Sequence, residues 1–319
     1  MVSTEQPETL DISVLVPVLN EEESVAELVQ RLKTVLTELE KSFEIVFVDD
    51  GSSDGTVERV REEHDRDNRI KLVRLRRNFG KAAAISAGVE HSCGDLVVTI
   101  DGDLQDLPEE IPRFLEKLEG EDLDLVSGWK QNRQDPIMKT LPSKLFNSVT
   151  RSLAQVDLHD FNCGFKLYRR EVLEQISIYG ELHRYIPVLA SRQGFRIGEV
   201  PVGHERRRHG SSKYGWDRFY KGLLDLITVL FITKYTRRPL HLFGGIGLLA
   251  MGAGFGINLY LAVLWTFFGQ TLSNRPLLLL GVLLMVLGLQ VLTTGLLGEM
   301  VTFKNFRRRD SYSVKELLE

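Results

Sequence analysis

Val97-Val98-Thr99-Ile100-Asp101-Gly102-Asp103-Leu104-Gln105-Asp106 runs from a short apolar stretch straight into carboxylates. A buried strand ends in charge where it opens into a site. Asp101 and Asp103 stand two apart with a small residue between them, and the Gln105 amide follows. Two carboxylates and an amide oxygen in five residues suit a hard divalent cation, Mg2+ or Mn2+, that also grips a diphosphate. The plainer reading is a strand followed by a charged turn, and an Asp-x-Asp alone does not separate the two.

The surrounding chain repeats the pattern. Residues 12–18 form a β-branched apolar run ended by Pro17 and Asn20, and Val25, Leu28, Val29, Leu32, Val35, Leu36 and Leu39 follow at helical spacing. Residues 43–48 read as a second strand that stops at Asp49-Asp50-Gly51-Ser52-Ser53-Asp54, with a helix opening at Val57. A third strand is expected over 70–75, a helix over 81–90, a fourth strand over 96–100, a helix over 108–118 and a fifth strand over 124–127. Strands without polar alternation, separated by helices, predict an α/β domain: a mostly parallel sheet with helices on both faces. Ligands bind such sheets beyond the carboxyl ends of the strands. Asn20-Glu21, Asp49-Asp50 and Asp101-Asp103 all fall there.

The remainder is different in kind. The chain has 319 residues and a net charge of -4, which gives no reason to expect nucleic acid as a partner. Its two cysteines, Cys93 and Cys163, form neither a disulfide framework nor a zinc pattern. Residues 1–10 are a polar tail without the apolar core of a signal peptide. Residues 240–268 and 276–298 carry no Asp, Glu, Lys or Arg, and each exceeds the roughly 20 residues that cross a bilayer core. The short link between them predicts a transmembrane hairpin over 239–300, followed by a tail over 301–319. Lys234, Arg237 and Arg238 precede it; Lys304, Arg307, Arg308 and Arg309 follow it; the connecting loop holds only Arg275. Positive charge on the inside puts both termini and the soluble domain in the cytoplasm, at an inner membrane. Gly281, Gly288 and Gly295 recur every seventh residue, and Gly252 and Gly256 form a G-x-x-x-G. Such stripes serve packing within the hairpin or contact between copies in a homo-oligomer, and the sequence leaves both open. Residues 219–235 read as an amphipathic helix lying at the membrane surface.

Four motifs appear in order: Val16-Pro17-Val18-Leu19-Asn20-Glu21, Val48-Asp49-Asp50-Gly51-Ser52-Ser53-Asp54-Gly55-Thr56, Asn78-Phe79-Gly80-Lys81, and Asp101-Gly102-Asp103-Leu104-Gln105-Asp106. Together they resemble glycosyltransferase family 2, with its GT-A fold, and within it the dolichyl-phosphate mannosyltransferase and polyprenyl-phosphate glycosyltransferase branch. The resemblance covers residues 10–235 and extends to the two-span tail of one subgroup. It implies a catalytic domain over 11–218, a UDP- or GDP-linked sugar as donor and a membrane polyprenyl phosphate as acceptor. It also implies roles for residues. Pro17, Leu19 and Glu21 fall in the loop that holds the nucleotide, with Leu19 replacing an aromatic of many relatives. Asp50, with Asp49 as the alternative, faces the base or ribose. Lys81, Gly102 and Gln105 lie at the donor. Asp101, Asp103 and Gln105 take the metal and diphosphate.

The same resemblance assigns Arg207, Gly210, Ser212 and Lys213 to the R-x-x-G-x-S-K element. Between Arg196 and Lys221 seven Lys or Arg stand against three Asp or Glu, and Arg forks and Lys charges suit phosphate oxygens. Lys144, Arg151 and Ser212 are candidate ligands for the acceptor phosphate. Asp160-Phe161-Asn162-Cys163-Gly164-Phe165-Lys166 resembles the stretch at the sugar; Gly164 stands where some relatives carry an acid, and Asp160 is the nearby substitute. His183-Arg184-Tyr185 is expected on the next helix, lining the sugar. The mechanism so implied is inverting displacement, with Asp101, Asp103, Arg207 and Asp160 catalytic. A phosphate monoester, whose second pKa is about 6, arrives ionised and needs no dedicated base. The rival readings are a processive polysaccharide synthase, against which no Q-x-x-R-W element is found, and a membrane-anchored protein that binds sugar nucleotides without turnover.

Overall fold

A computed structural model describes residues 10–131, 157–176, 178, 182–203, 205, 239–269 and 276–305. The chain divides into two compact units, Met1–Leu226 and Ile227–Glu319.

In the first unit the elements run β1 (Leu10–Val18), α1 (Val25–Glu38), β2 (Phe43–Asp49), α2 (Thr56–Arg66), β3 (Ile70–Arg74), α3 (Lys81–Glu90) and β4 (Gly94–Thr99). A 3-10 turn (Pro108–Glu110), α4 (Ile111–Gly120), β5 (Leu125–Lys130), β6 (Lys166–Arg169) and α5 (Arg170–Gln175) follow. A second 3-10 turn (Leu182–Tyr185), α6 (Ile186–Gln193) and β7 (Ile197–Val202) complete it. The strand order is β3-β2-β1-β4-β6-β5-β7. All neighbouring pairs are parallel except those of β6, which runs against both β4 and β5.

Burial explains the arrangement. Every residue of β2 is buried, as a central strand covered on both faces requires. Successive side chains of β1 alternate between two cores. Val14, Val16 and Val18 join Leu28, Leu32, Phe114 and Leu118 from α1 and α4. Leu15 joins Ala84, Val172, Ile186 and Ala190 from α3, α5 and α6 on the other face.

The mostly parallel, doubly covered GT-A-type sheet expected from the sequence is borne out, with refinements. The expected helix at 108–118 begins as a 3-10 turn around Pro108, and the fifth strand extends to Lys130. β6, β7 and α5 were not anticipated. His183-Arg184-Tyr185 is corrected: these residues form a 3-10 turn, and the helix starts after them with Pro187 in its first turn.

In the second unit α7 (Pro239–Phe268) and α8 (Pro276–Asn305) are each 30 residues long. Both are long and apolar enough to cross a membrane, and both are mostly exposed, unlike the core helix of a soluble protein. Their glycines divide by face. A Cβ on Gly247 would lie 2.6 Å from Gly288 O, one on Gly254 2.5 Å from Gly281 O, and one on Gly295 2.9 Å from Phe243 Cβ. The seven-residue repeat therefore brings the two backbones of the hairpin together. Gly252 and Gly256 have nothing within 4 Å. The Leu240 amide donates to Glu299 Oε2 at 3.3 Å, joining the start of α7 to the end of α8. The helix expected over 219–235 lies outside the described residues.

Candidate active site

Parallel strands put the carboxyl ends of β1, β2, β3 and β4 on one edge of the sheet. The loops after β1 and β2 are laced together there. Asn20 N–H donates to Ser52 Oγ (2.9 Å), Ser53 N–H to Asn20 Oδ1 (2.8 Å), and Glu21 N–H to Thr56 Oγ1 (2.9 Å). Asn20 holds this turn at φ 54°, a left-handed conformation that Asn tolerates. Pro17, Leu19 and Glu21 are all partly exposed at the end of β1 and in the loop that follows it.

Asp49 and Asp50 are both buried. Asp49 Oδ1 accepts from Ser52 N–H (3.1 Å), and its Oδ2 lies 3.7 Å from Arg74 Nε. Both oxygens of Asp50 accept backbone protons, from Phe79 (2.7 Å) and Gly80 (2.9 Å). Asp50 thus anchors the Asn78-Phe79-Gly80 loop and the start of α3. Gly51, at φ 84°, lets this happen: a Cβ there would meet Asn78 N at 2.7 Å. A crevice of about 370 Å3 opens beside the turn, lined by Gly51, Ser52, Arg74, Leu75, Arg76 and Arg77. Three guanidiniums around such a hollow suit an anionic ligand.

The first residue of α3, Lys81, reaches across to Asp101 at the end of β4 and pairs with its Oδ1. Gly164 closes over the pair. A Cβ at that position would lie 2.7 Å from both Asp101 oxygens and 2.8 Å from Lys81 Nζ. A side chain at that position could enter only by displacing the Asp101–Lys81 pair. Gly102 is similarly constrained, since its Cβ would come within 2.8 Å of Val18 Cγ1. Leu104 is buried at φ 60° and pins the acidic loop in a left-handed turn. Gln105 N–H donates to Asp103 Oδ1 at 3.2 Å. Gln105 also exchanges backbone and side-chain contacts with Glu205: Glu205 N–H donates to Gln105 O (3.1 Å) and Gln105 Nε2 to Glu205 O (3.4 Å). The acidic loop is therefore tied to the segment that leads into the basic stretch.

Behind the loop lies a second buried pair. Lys130, the last residue of β5, sits 2.6 Å from Asp106 Oδ1, and Asp106 is wholly buried. Asp106 Oδ2 has no hydrogen-bond partner among the described residues. Lys166, also buried, donates to Cys163 O. Asp160 is buried and accepts from Asn162 N–H (3.0 Å).

These charges set each other's protonation. Desolvation disfavours the Asp101 anion, but Lys81 and Lys130 outweigh it and hold the carboxyl at about 2. Burial likewise opposes the Lys130 ammonium, and Asp106 overcomes it. Lys166 is pushed down by burial and by Lys81. Burial, with Lys81 and Arg184, depresses His183 to about 3, so its imidazole is neutral. Burial raises the Cys163 thiol to about 12, which makes it inert.

Sequence reasoning passed over Lys130 and Lys166 and quoted Asp106 without a role. The signal for Lys130 was present: it ends an apolar strand on the same edge as Asp101. Arg207, Lys213, Ser212, Lys144 and Arg151 lie outside the described residues.

Among the described residues no group of three or more His, Cys, Asp or Glu could hold a metal by itself. That donor set still fits Mg2+ or Mn2+, which bind through one or two carboxylates together with substrate phosphates rather than in an all-protein cage. Asp101 is ionised and Asp103 is partly exposed beside it in sequence.

The profile of glycosyl transferase family 2 matches residues 13–177. The dodecaprenyl-phosphate galacturonate synthase of Rhizobium johnstonii is 38% identical over 98% of this chain and 94% of its own. The undecaprenyl-phosphate 4-deoxy-4-formamido-L-arabinose transferase of Salmonella choleraesuis is 36% identical over 96% of this chain and 93% of its own. Among solved structures, glucosyl-3-phosphoglycerate synthase from Mycobacterium tuberculosis superposes with a TM-score of 0.56 at 20% identity. That likeness covers 70% of this chain and 78% of the other, whose complex holds Mn2+, uridine diphosphate and phosphoglyceric acid. The same enzyme with Mg2+ and uridine diphosphate gives 0.54, covering 70% of this chain and 79% of that one. The fold is shared with these structures, and the resemblance to the two bacterial enzymes runs through the apolar hairpin as well. The chain is a glycosyltransferase and belongs to glycosyl transferase family 2.

Proposed function

We propose that this protein transfers one sugar from a nucleotide donor to a polyprenyl phosphate, with inversion at the anomeric carbon. The observation that supports this most is the Asp101–Lys81 pair under Gly164, at the carboxyl edge beside an arginine-lined crevice. An activated sugar needs its diphosphate held and its leaving charge neutralised, and ionised carboxylates, lysine and guanidiniums supply that. The dodecaprenyl-phosphate galacturonate synthase and the undecaprenyl-phosphate 4-deoxy-4-formamido-L-arabinose transferase, each named for a sugar and a polyprenyl phosphate, support the choice of acceptor.

Asp101, Asp103 and the Gln105 amide oxygen would hold Mg2+ or Mn2+. Such an ion, when bound, neutralises the departing diphosphate. Pro17, Leu19, Glu21, Asp49 and the crevice arginines hold the nucleoside, and Asp50 fixes the loop that carries Lys81. Arg207 and Lys213 screen the two phosphates as they approach; Lys144, Arg151 and Ser212 hold the acceptor phosphate. The acceptor oxygen bonds to the anomeric carbon as the bond to the nucleoside diphosphate breaks. No proton moves, because the monoester arrives as an anion. Asp160 shapes the sugar side through its turn with Asn162. The hairpin spans an inner membrane with both termini and the catalytic unit in the cytoplasm, and the UDP- or GDP-linked donor comes from that side.

Incubation of the full chain in lipid with a panel of nucleotide sugars and polyprenyl phosphate tests this. The expected product is a lipid carrying one sugar by mass spectrometry, lost on chelation of divalent ions. A ladder of longer saccharides on the lipid, or sugar transfer only to a soluble acceptor, would contradict it.

A further inference from the structure

Three lysine charges act on Asp101, and they are held with unequal firmness. Lys166 is 2% exposed and its ammonium donates to Cys163 O. Lys130 lies 2.6 Å from the buried Asp106, and its side chain is 11% exposed. Lys81 pairs with Asp101 Oδ1 through a side chain that is 29% exposed. Its backbone is fixed, because Asp50 binds the amides of Phe79 and Gly80 just before it. Of the three ammonium groups, that of Lys81 is the one with room to move, and the movement is confined to its side chain.

Two features give that movement a purpose. Lys81 is the first residue of α3, whose N-terminus has no side-chain cap and no acidic residue in its first turn. The helix dipole disfavours a cation there and favours an anion. The ammonium therefore depends on a neighbouring negative charge. Asp101 supplies it, yet Asp101 is also a carboxylate that a divalent ion would need. An ammonium and a divalent cation on one carboxylate repel each other strongly in a partly buried site. Lys81 must then find another anion. The carboxylates that act most on its charge are Asp101 and Asp106. Asp106 is wholly buried and already paired with Lys130, whose own charge repels Lys81. The oxygens left to Lys81 are those of the donor's diphosphate.

We infer that Lys81 is an exchange cation: its ammonium holds Asp101 until metal and diphosphate arrive together, yields that carboxylate to the metal, and moves to a diphosphate oxygen. The inference rests on the assignment of Asp101 to the metal in the reading above and adds a linkage to it. Metal alone competes with an internal ammonium and binds weakly. Diphosphate draws the ammonium away, so each ligand tightens the other. Lys81 thereby keeps the metal site from filling without a donor.

The test reads Mn2+ itself, with no turnover. Free Mn2+ is followed by electron paramagnetic resonance with the full chain in detergent, alone and with uridine or guanosine diphosphate, corrected for the ion held by free nucleotide. In the wild type the diphosphate that binds should tighten Mn2+ at least about fivefold. Lys81→Met should bind Mn2+ alone about fivefold or more tighter than the wild type, and the linkage should shrink by a like factor. Lys81→Arg, which keeps the cation, should stay close to the wild type. In the unaltered chain a carbodiimide should join Lys81 Nζ to the Asp101 carboxyl as an amide, seen by peptide mass spectrometry, and Mn2+ with diphosphate should suppress that link. Unchanged or weaker Mn2+ binding in Lys81→Met, or a link that still forms with both ligands bound, would overturn the inference. Asp101→Asn separates it from the reading beneath it. If that variant keeps Mn2+-dependent diphosphate binding, the metal assignment fails; if it loses it while Lys81→Met keeps the wild-type linkage, only the exchange fails.

Discussion

The two edges of the same sheet both bury carboxylates, and they treat them in opposite ways. At the amino edge Glu44 is buried on β2 and is surrounded by partners: Ser13 Oγ (2.6 Å), the Cys93 amide (2.6 Å) and Lys71 Nζ (2.5 Å). Gly94 packs so closely that a Cβ would lie 2.5 Å from Ser13 N, and Arg170 donates to Gly94 O at 2.7 Å. The cluster ties β1, β2, β3 and the turn before β4 into one knot. At the carboxyl edge Asp106 keeps an oxygen without a hydrogen bond among the described residues, and the Asp101–Lys81 pair remains about one-third exposed. Buried polar groups are normally satisfied, and the exceptions gather where a ligand completes them. One edge closes the fold; the other holds charge ready for a ligand.

The comparison breaks most visibly at Asp103. Asp103→Ala should lower turnover at least about a hundredfold, the scale of losing one charge-stabilising group, and leave the melting temperature within a degree or so. A large stability loss with proportionate activity would instead make Asp103 a folding residue. Glu44→Gln should do the reverse. It removes charge-assisted bonds worth about 2 kcal/mol of stability, with activity per folded molecule unchanged, as denaturant titration beside assay would show. The sign with pH follows from the direction of its shift. Burial disfavours the Glu44 anion, but Lys71, Ser13 and the Cys93 amide hold its carboxyl below the ordinary value. Its contribution is therefore full above the unfolded-state value and disappears as pH falls through the lower folded one. The acid limb of the stability curve should flatten in Glu44→Gln. Gly164→Ala sharpens the contrast with a smaller effect. The new methyl must displace Asp101 or Lys81, flexible groups that move without unfolding the sheet. Activity should fall about tenfold by misplacing the pair, with little change in stability.

Much of this was legible beforehand, for physical reasons. Continuous apolar runs such as residues 45–48 do not alternate, so a doubly covered parallel strand followed directly. The acidic ends of β1, β2 and β4 then had to share an edge. The antiparallel β6 was hidden because Lys166 and Arg169 bracket only Leu167 and Tyr168, a run too short to carry a period. Lys166 was passed over because a lysine is expected in water, not buried against Cys163 O. Asp50 was expected to face the base or ribose, and its two bonds to Phe79 and Gly80 became visible only once α3 was placed. The glycines of the hairpin left two uses open, and only the approach of Gly247 to Gly288 and Gly254 to Gly281 assigned the seven-residue repeat to the hairpin itself.

Donor binding without turnover tests the central contrast most directly. Calorimetric titration of uridine and guanosine diphosphates into the full chain should show binding of at least one of them that requires Mg2+ or Mn2+. Asp101→Asn and Asp103→Ala should abolish it, while Glu44→Gln should bind as the wild type does. Equal binding with and without divalent ions, or undiminished binding in both carboxyl-edge variants, would contradict the assignment of that edge to the metal and diphosphate.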